Sequence, residues 1–332
     1  MRHRSSPQHP RERRSIMRPF ERVPPAFWVG LLLLVICWIA VPRFGTSSNL
    51  ANLSRVASIL LLASLGQTLV IIVRGVDFSI GSAVALFSVT AVMTGAQYGT
   101  GGAFVLATLA VLALGLINGV LIGVMQAPPF LVTLGSMIAV HGLCGAMVGG
   151  MPLDAPADID FSTLVQASWL GISAPLWMAL GGFVLVAVTL QFTRFGRECF
   201  ALGSNEPAAQ LAGIPVRRRV VGAYLLNALL VAAAGAVLTS RLGSGQPNLY
   251  PGLPFEAIAA CAIGGVPLAG GKGGALHALI GVAILTIVVN ALVLLNLPSL
   301  VQNMLLGVVI VGAVLARQAG AATRRFRVFR AA

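Results

Sequence analysis

Asp77 and Glu256 are the two carboxylates of this chain that stand inside otherwise apolar sequence. An acid in such a setting is costly to keep, so it is the first place to look for chemistry. Asp77 follows Arg74 by three residues and precedes Phe78-Ser79-Ile80-Gly81-Ser82. It suits a gate on a translocation path, or a helix cap with a local ion pair to Arg74, and the cap is the favoured of the two. Glu256 opens a short apolar segment, where a carboxylate meets the positive end of a helix. His141, Asn118, Asn227 and Asn290 each lie among apolar residues. Such residues more often hydrogen-bond between helices than touch a solute. Ser79 and Thr133 add hydroxyls to the candidate path formed by Asp77, Asn118, His141 and Glu256. A set of this kind can hold a proton or line a route for a polar solute.

Covalent and metal chemistry find no support. There is no His-Glu-x-x-His pair, and Gly135-Ser136 lacks the pattern of a nucleophile elbow. Gly270-Gly271-Lys272-Gly273 looks like a phosphate loop, but no Ser or Thr follows the Lys and the first glycine of that motif falls on Val266. If nucleotide hydrolysis drives anything here, ATP and Mg must sit in another chain. The expectation is no catalytic residue, no metal and no cofactor in this one. Cys37, Cys144, Cys199 and Cys261 form no Cys-x-x-Cys pair and read as small apolar residues.

The elements that must carry these residues are membrane helices. Of the 332 residues 57% are hydrophobic and 9% charged, against about 25% charged in soluble domains. Spans of roughly 20 apolar residues are the natural unit. Apolar runs bounded by Gly, Pro and polar clusters give about ten: 26–42, 55–73, 79–97, 103–125, 130–149, 174–193, 220–240, 255–266, 275–296 and 299–316. The fold class is therefore all-α and polytopic. The eighth run is too short to cross straight and is either extended by Pro254 and Gly264-Gly265 or re-entrant. The first run lacks a cleavage site and is read as an uncleaved helix.

The net charge of +13 sits in blocks flanking apolar runs, which sets topology rather than binding nucleic acid. With the N-terminus inside, 19 of the 22 Lys and Arg fall on the cytoplasmic side, and only Arg43, Arg55 and Arg241 fall outside. This divides the chain into a basic cytoplasmic tail (1–24), a membrane domain (25–317) and a second basic cytoplasmic tail (318–332). Within the membrane domain, 194–219 is the main polar segment. Ser204 or Asn205 can cap a short helix there, Pro207 fits its first turn, Ala208 and Leu211 share a face, and Gly213 and Pro215 stop it. Residues 73–81 and 263–271 echo one another weakly.

Four segments in order resemble one known family: GVDFSIGS (75–82), PPFLVTLGSM (128–137), FGRECFALGSNEPAAQLAGIPV (195–216) and FEAIAACAIGGVPLAGGKGG (255–274). They resemble the permease subunits of ribose- and simple-sugar-type bacterial ABC importers, over roughly residues 50–316. The resemblance implies two permease subunits (a homo- or heterodimer), a cytoplasmic ABC ATPase, a periplasmic sugar-binding protein, and a place in the lipid of the inner membrane. It makes 203–215 the coupling helix toward the ATPase, with Ser204, Asn205, Glu206, Ala209 and Gly213 matching the family pattern. The outer loops 151–173 and 241–254 would receive the binding protein. Departures are Glu256 where the family has Asp, His141 where many relatives carry Arg, and Pro267 where Thr or Ser is usual. The rival expectation is a proton-coupled transporter or channel using Asp77 or Glu256.

Overall fold

The computed structural model describes residues 24–298, 300–302, 304–308 and 311–312. The terminal basic segments 1–23 and 313–332 lie outside the described residues, and so do parts of the tenth expected span.

The apolar runs become helices with few surprises at their ends. α1 covers Pro25–Ala40, α2 Ser47–Ile72, α3 Ile80–Gly123 and α4 Pro129–Val148. A strand β1 (Leu153–Asp154), a single turn α5 (Thr163–Gln166) and a hairpin of β2 (Ser168–Trp169) and β3 (Ile172–Ser173) follow. Then come α6 (Ala174–Phe192), α7 (Arg194–Ser204), α8 (Glu206–Leu211) and α9 (Val216–Leu242). β4 (Ser244–Gly245), α10 (Leu253–Gly264) and α11 (Ala275–Leu294) complete the numbered elements. Six of these helices are long and apolar enough to cross a membrane.

α3 is 44 residues long, about 66 Å if straight, twice what a bilayer core needs. It is a hairpin. Gly99 takes φ 65°, ψ 175°, a left-handed conformation that L side chains rarely adopt. The chain turns back there, so that Phe87 and Phe104 stack edge-on at 5.4 Å and Asn118 reaches Ser79. The two expected runs 79–97 and 103–125 are thus both helical, joined within one element.

α9 is the central post. The second half of α3 lies along it through Gly115, Gly119 and Gly123: a methyl at Gly115 would stand 2.4 Å from the Ala228 side chain. α2 presses on its other side, with Gly66 against Asn227. Small residues at every fourth position let backbones approach where lipid supplies no hydrophobic force between helices. α10 and α11 cross more closely still. A Cβ at Gly281 would lie 1.7 Å from the Ala260 carbonyl oxygen.

The short eighth run resolves into a broken element. From β4 the chain runs without regular structure along the first half of α3, where Ser88 Oγ donates to Ser244 O (2.9 Å). It reaches the start of α3, where Gly81 meets Tyr250 and Pro254, and only then forms α10. α10 itself is 12 residues long.

At one end of the bundle β1 pairs with β4, Leu153 with Gly245 and Asp154 with Ser244. Ser240 Oγ donates to Phe161 O, and Thr100 Oγ1 donates to Asp160 O (3.2 Å). The β2–β3 hairpin stands beside them with Trp169 against Trp177. α7 and α8 lie at the opposite end with the end of α2.

Candidate functional site

The segment 73–79 joins α2 to α3 by turning back between the helices, and it places Asp77 in the middle of them. Asp77 is 4% exposed. Its Oδ1 accepts from Ser79 N (2.8 Å) and Ser79 Oγ (2.6 Å). Its Oδ2 accepts from Asn227 Nδ2 (2.7 Å). Asn118 Nδ2 donates to Ser79 Oγ (3.0 Å). Gln67, with its amide turned to suit its partners, pairs with the backbone N and O of Asp77 at 3.1 and 3.2 Å. Val76 O accepts from Thr133 Oγ1 (3.2 Å) and Tyr224 OH (3.4 Å). One irregular segment is thereby tied to α2, α3, α4 and α9. Irregular backbone inside a membrane bundle survives only when its polar groups are met in this way.

Four of the six residues expected on a path, Asp77, Ser79, Asn118 and Thr133, therefore meet in one knot. Arg74 does not join them. The expected Arg74–Asp77 ion pair is absent among the described residues, where the salt bridges run to Glu198. The chain leaves α2 with Arg74 turned outward at φ 64°, and Asp77 is turned inward. Tyr224 and Gln67 belong to the knot and escaped the sequence reading, because neither is charged nor stands in a polar cluster.

His141 and Glu256 lie apart from the knot and from each other. His141 lines a cavity of about 320 Å³ with Ser82, Asn248, Tyr250 and Phe255. This cavity lies where the starts of α3 and α10 meet, marked by the Phe78–Phe255 contact at 5.8 Å. Two helix N-termini beside one cavity is the arrangement that discontinuous membrane helices use to receive polar solutes. Glu256 Oε2 accepts from Tyr250 OH (2.7 Å) and faces a smaller cavity of about 150 Å³ with Asn52, Thr286 and Gln302. Asn290 pairs with Asn49 through both amides (2.9 and 3.0 Å), the interhelical role expected of it.

At the α7–α8 end, Asn205 caps α8 by accepting from Ala208 N (3.1 Å). Pro207 lies in the first turn and Gly213 exits at φ 76°. Among the residues expected to couple, Ser204, Asn205 and Gly213 are exposed, Glu206 is half-buried and Ala209 is buried. Leu211, absent from that set, is 92% exposed. The sequence reading anticipated one short helix here and missed α7. α7 buries Gly196, Cys199, Leu202 and Gly203 on one face, and Thr193 Oγ1 caps it by accepting from Gly196 N (3.2 Å). Its Glu198 accepts from Arg219 and from Arg194 (2.8 Å). The guanidinium of Arg219 first, then that of Arg194, hold the Glu198 carboxyl below its ordinary value. Among the described residues no group of three or more His, Cys, Asp or Glu could hold a metal ion.

The chain is similar in sequence to known transport permeases. The ribose import permease protein RbsC of Bacillus subtilis is 38% identical over 291 residues, covering 87% of this chain and 90% of that one. RbsC of Escherichia coli K12 is 35% identical over 86% of this chain and 90% of its own length. The L-arabinose transport system permease protein AraH of the same strain is 32% identical, over 86% and 88%. No solved structure matches the chain. A family model described as branched-chain amino acid transport system / permease component matches residues 49–314. The chain belongs to this family of multi-pass transport-system permeases.

Proposed function

We propose that this chain is the membrane-spanning permease subunit of an ATP-driven importer for a monosaccharide of the ribose or arabinose kind. The observation that carries the reading is similarity to ribose and arabinose permeases over nearly the whole of both chains. The chain is not an enzyme. ATP and Mg belong to a separate cytoplasmic ATPase, and a periplasmic binding protein delivers the sugar to the end that carries β1, β4 and the β2–β3 hairpin.

The topology proposed is ten spans in the inner membrane with both termini cytoplasmic. α1, α2, the two halves of α3, α4, α6, α9, α10 with its extended lead, and α11 supply nine. The helical residues among 300–312 begin the tenth. Arg74, α7, α8 and Lys272 then share the cytoplasmic side, which agrees with the distribution of Lys and Arg.

The sugar's path is the cavity at His141, Ser82, Asn248 and Phe255. Sugars are recognised by an aromatic face and hydroxyl partners, and this lining offers both. The knot around Asp77 holds the two halves of α3 in place beside it. α8 couples to the ATPase through the surface bearing Ala208 and Leu211, set by Ser204, Asn205, Glu206 and Gly213, with Ala209 seating the helix from beneath.

The test is uptake of labelled ribose or arabinose by vesicles containing the permease, its ATPase and its binding protein. Uptake should require ATP and ignore uncouplers. Uptake without ATP that collapses with an uncoupler would instead favour a proton-coupled transporter working through Asp77 or Glu256. Glu206→Arg with Ala209→Trp should abolish uptake while leaving membrane insertion intact. Normal uptake by that variant would remove the coupling role from 203–215.

A further inference from the structure

Arg74 occupies the left-handed region at φ 64°, an uncommon and strained place for a side-chain-bearing residue. Arg43, Gln126, Leu170 and Asn296 share that region, and what sets Arg74 apart is the bonding of its side chain. Its Nε donates to Gly203 O (2.8 Å) and its Nη2 to Ser204 O (2.8 Å). Those are carbonyls of the last turn of α7, which have no partner within the helix and carry the negative end of its dipole. The planar guanidinium grips two neighbouring carbonyls as an ammonium cannot. Ser204 is followed directly by Asn205, the cap of α8. Arg74 therefore holds the joint between α7 and α8.

The backbone around this joint is packed to contact. Gly271 N donates to Ile72 O (2.9 Å). A methyl at Gly203 would lie 1.8 Å from Ile72 O and 2.5 Å from Gly271 N. The end of α2, the end of α7 and the loop leading to α11 thus close on one another with no side chain between them. In the other direction Arg74 is one residue from Gly75, whose N donates to Val70 O (2.9 Å). Two residues on, Val76 O receives Thr133 and Tyr224, and three on, Asp77 receives Asn227. A cavity of about 320 Å³ lies beside this segment, lined by Arg74, Gly75 and Glu206 together with Gln126, Pro128 and Tyr224.

We propose that Arg74 is the positioning residue that passes movement of the α7–α8 joint into the buried knot at Asp77. This rests on the reading of α8 as the contact with the ATPase. A displacement of the joint pulls the 74–77 segment directly, and that segment reaches α3, α4 and α9. The 74–77 segment is the link, tied by hydrogen bonds to the joint at one end and to α4 and α9 at the other.

The experiment uses the full complex of permease, ATPase and binding protein in proteoliposomes, with labelled ribose and arabinose as probes. ATPase copurification, sugar-stimulated hydrolysis and uptake are measured on the same preparation. For Arg74→Gln the complex should copurify and hydrolyse ATP within about twofold of wild type, while sugar moved per ATP falls at least tenfold. Arg74→Lys, which keeps the charge but can satisfy fewer carbonyls at once, should fall between the two. If Arg74→Gln gives no folded complex, Arg74→Lys is judged by the same ratio. An unchanged ratio of sugar to ATP in the folded variant overturns the proposal. So does a proportional fall of uptake and hydrolysis, which marks a merely structural clamp. Absence of any ATPase from the wild-type preparation would instead overturn the reading of α8, and this proposal with it.

Discussion

At the residue scale, Asp77 is a buried carboxyl with its hydrogen-bond partners in place. Its described side-chain contacts are all to donors, three of them, at 2.6–2.8 Å. Asn227→Ala removes one donor from a buried carboxylate and should cost about 1–3 kcal/mol, seen as a lower melting temperature of the purified protein. The exchange Asp77→Asn with Asn227→Asp should recover part of that loss. No recovery would mean that the two side chains do not act as a pair. His141 calls for the opposite expectation. It is exposed and forms no hydrogen bond or ion pair among the described residues, so His141→Ala should leave the melting temperature within about 0.5 kcal/mol of wild type. Uptake should nonetheless fall severalfold, and unchanged uptake would remove His141 from the path. The two kinds of residue looked alike in sequence, since both are polar positions in apolar runs. Burial separates them, and burial depends on which helix faces which.

At the element scale, the helices were legible and their breaks were not. Runs of apolar residues announce α4, α6, α9 and α11 within a few residues because only a helix satisfies its own backbone in lipid, whereas α2 begins eight residues before its expected run, in the polar stretch from Ser47. The hairpin in α3 was legible as two spans, although Gly99 alone does not reveal that the turn is so tight. α7 was missed because its buried face has one large apolar residue, Leu202, beside the small Gly196, Cys199 and Gly203, in a stretch that also holds Arg194, Arg197 and Glu198. The extended lead into α10 was missed because its partners, Ser88 and Gly81, lie far away in sequence. In the segment 203–215, Ala209 of the set matched to the family pattern is buried, and Leu211, on the face of Ala208, is exposed. α7 also supplies a pH prediction. The Glu198 carboxyl is held below its ordinary value by Arg219 and Arg194. A depressed folded-state value means that the contribution is complete above the unfolded value and is lost as pH falls through the lower, folded one. Amide exchange in α7 should therefore be flat between about pH 6 and 8 once corrected for its intrinsic rate, with protection falling only below the ordinary carboxylate value of roughly 4.3. Glu198→Gln should lose protection at neutral pH and show no further acid step from this site. A variant as protected as wild type would mean that the ion cluster does not hold α7.

At the scale of the whole molecule, the two ends of the bundle make a consistency test that no single helix could. Contacts between residues distant in sequence gather at one end Thr100, Asp160, Phe161 and Ser240 with the β1–β4 pair. At the other end they gather Arg74, Gly203, Ser204 and Gly271. On the proposed topology the distribution of Lys and Arg puts the second group on the cytoplasmic side. The assignment predicts opposite labelling of two tips. Leu170, at the turn of the β2–β3 hairpin, is 75% exposed, and Leu211, on α8, is 92% exposed. All four native cysteines are buried, so a membrane-impermeant maleimide should leave them largely unmodified. Leu170→Cys should label in intact spheroplasts and Leu211→Cys only in inside-out vesicles. Adding the ATPase should then protect Leu211→Cys while leaving Leu170→Cys open, and adding the sugar-loaded binding protein should do the reverse. Labelling of both tips from one side would overturn the topology, because α6 alone separates the hairpin from α7. Correct sidedness without protection by the ATPase would leave the topology standing and remove α8 from the contact.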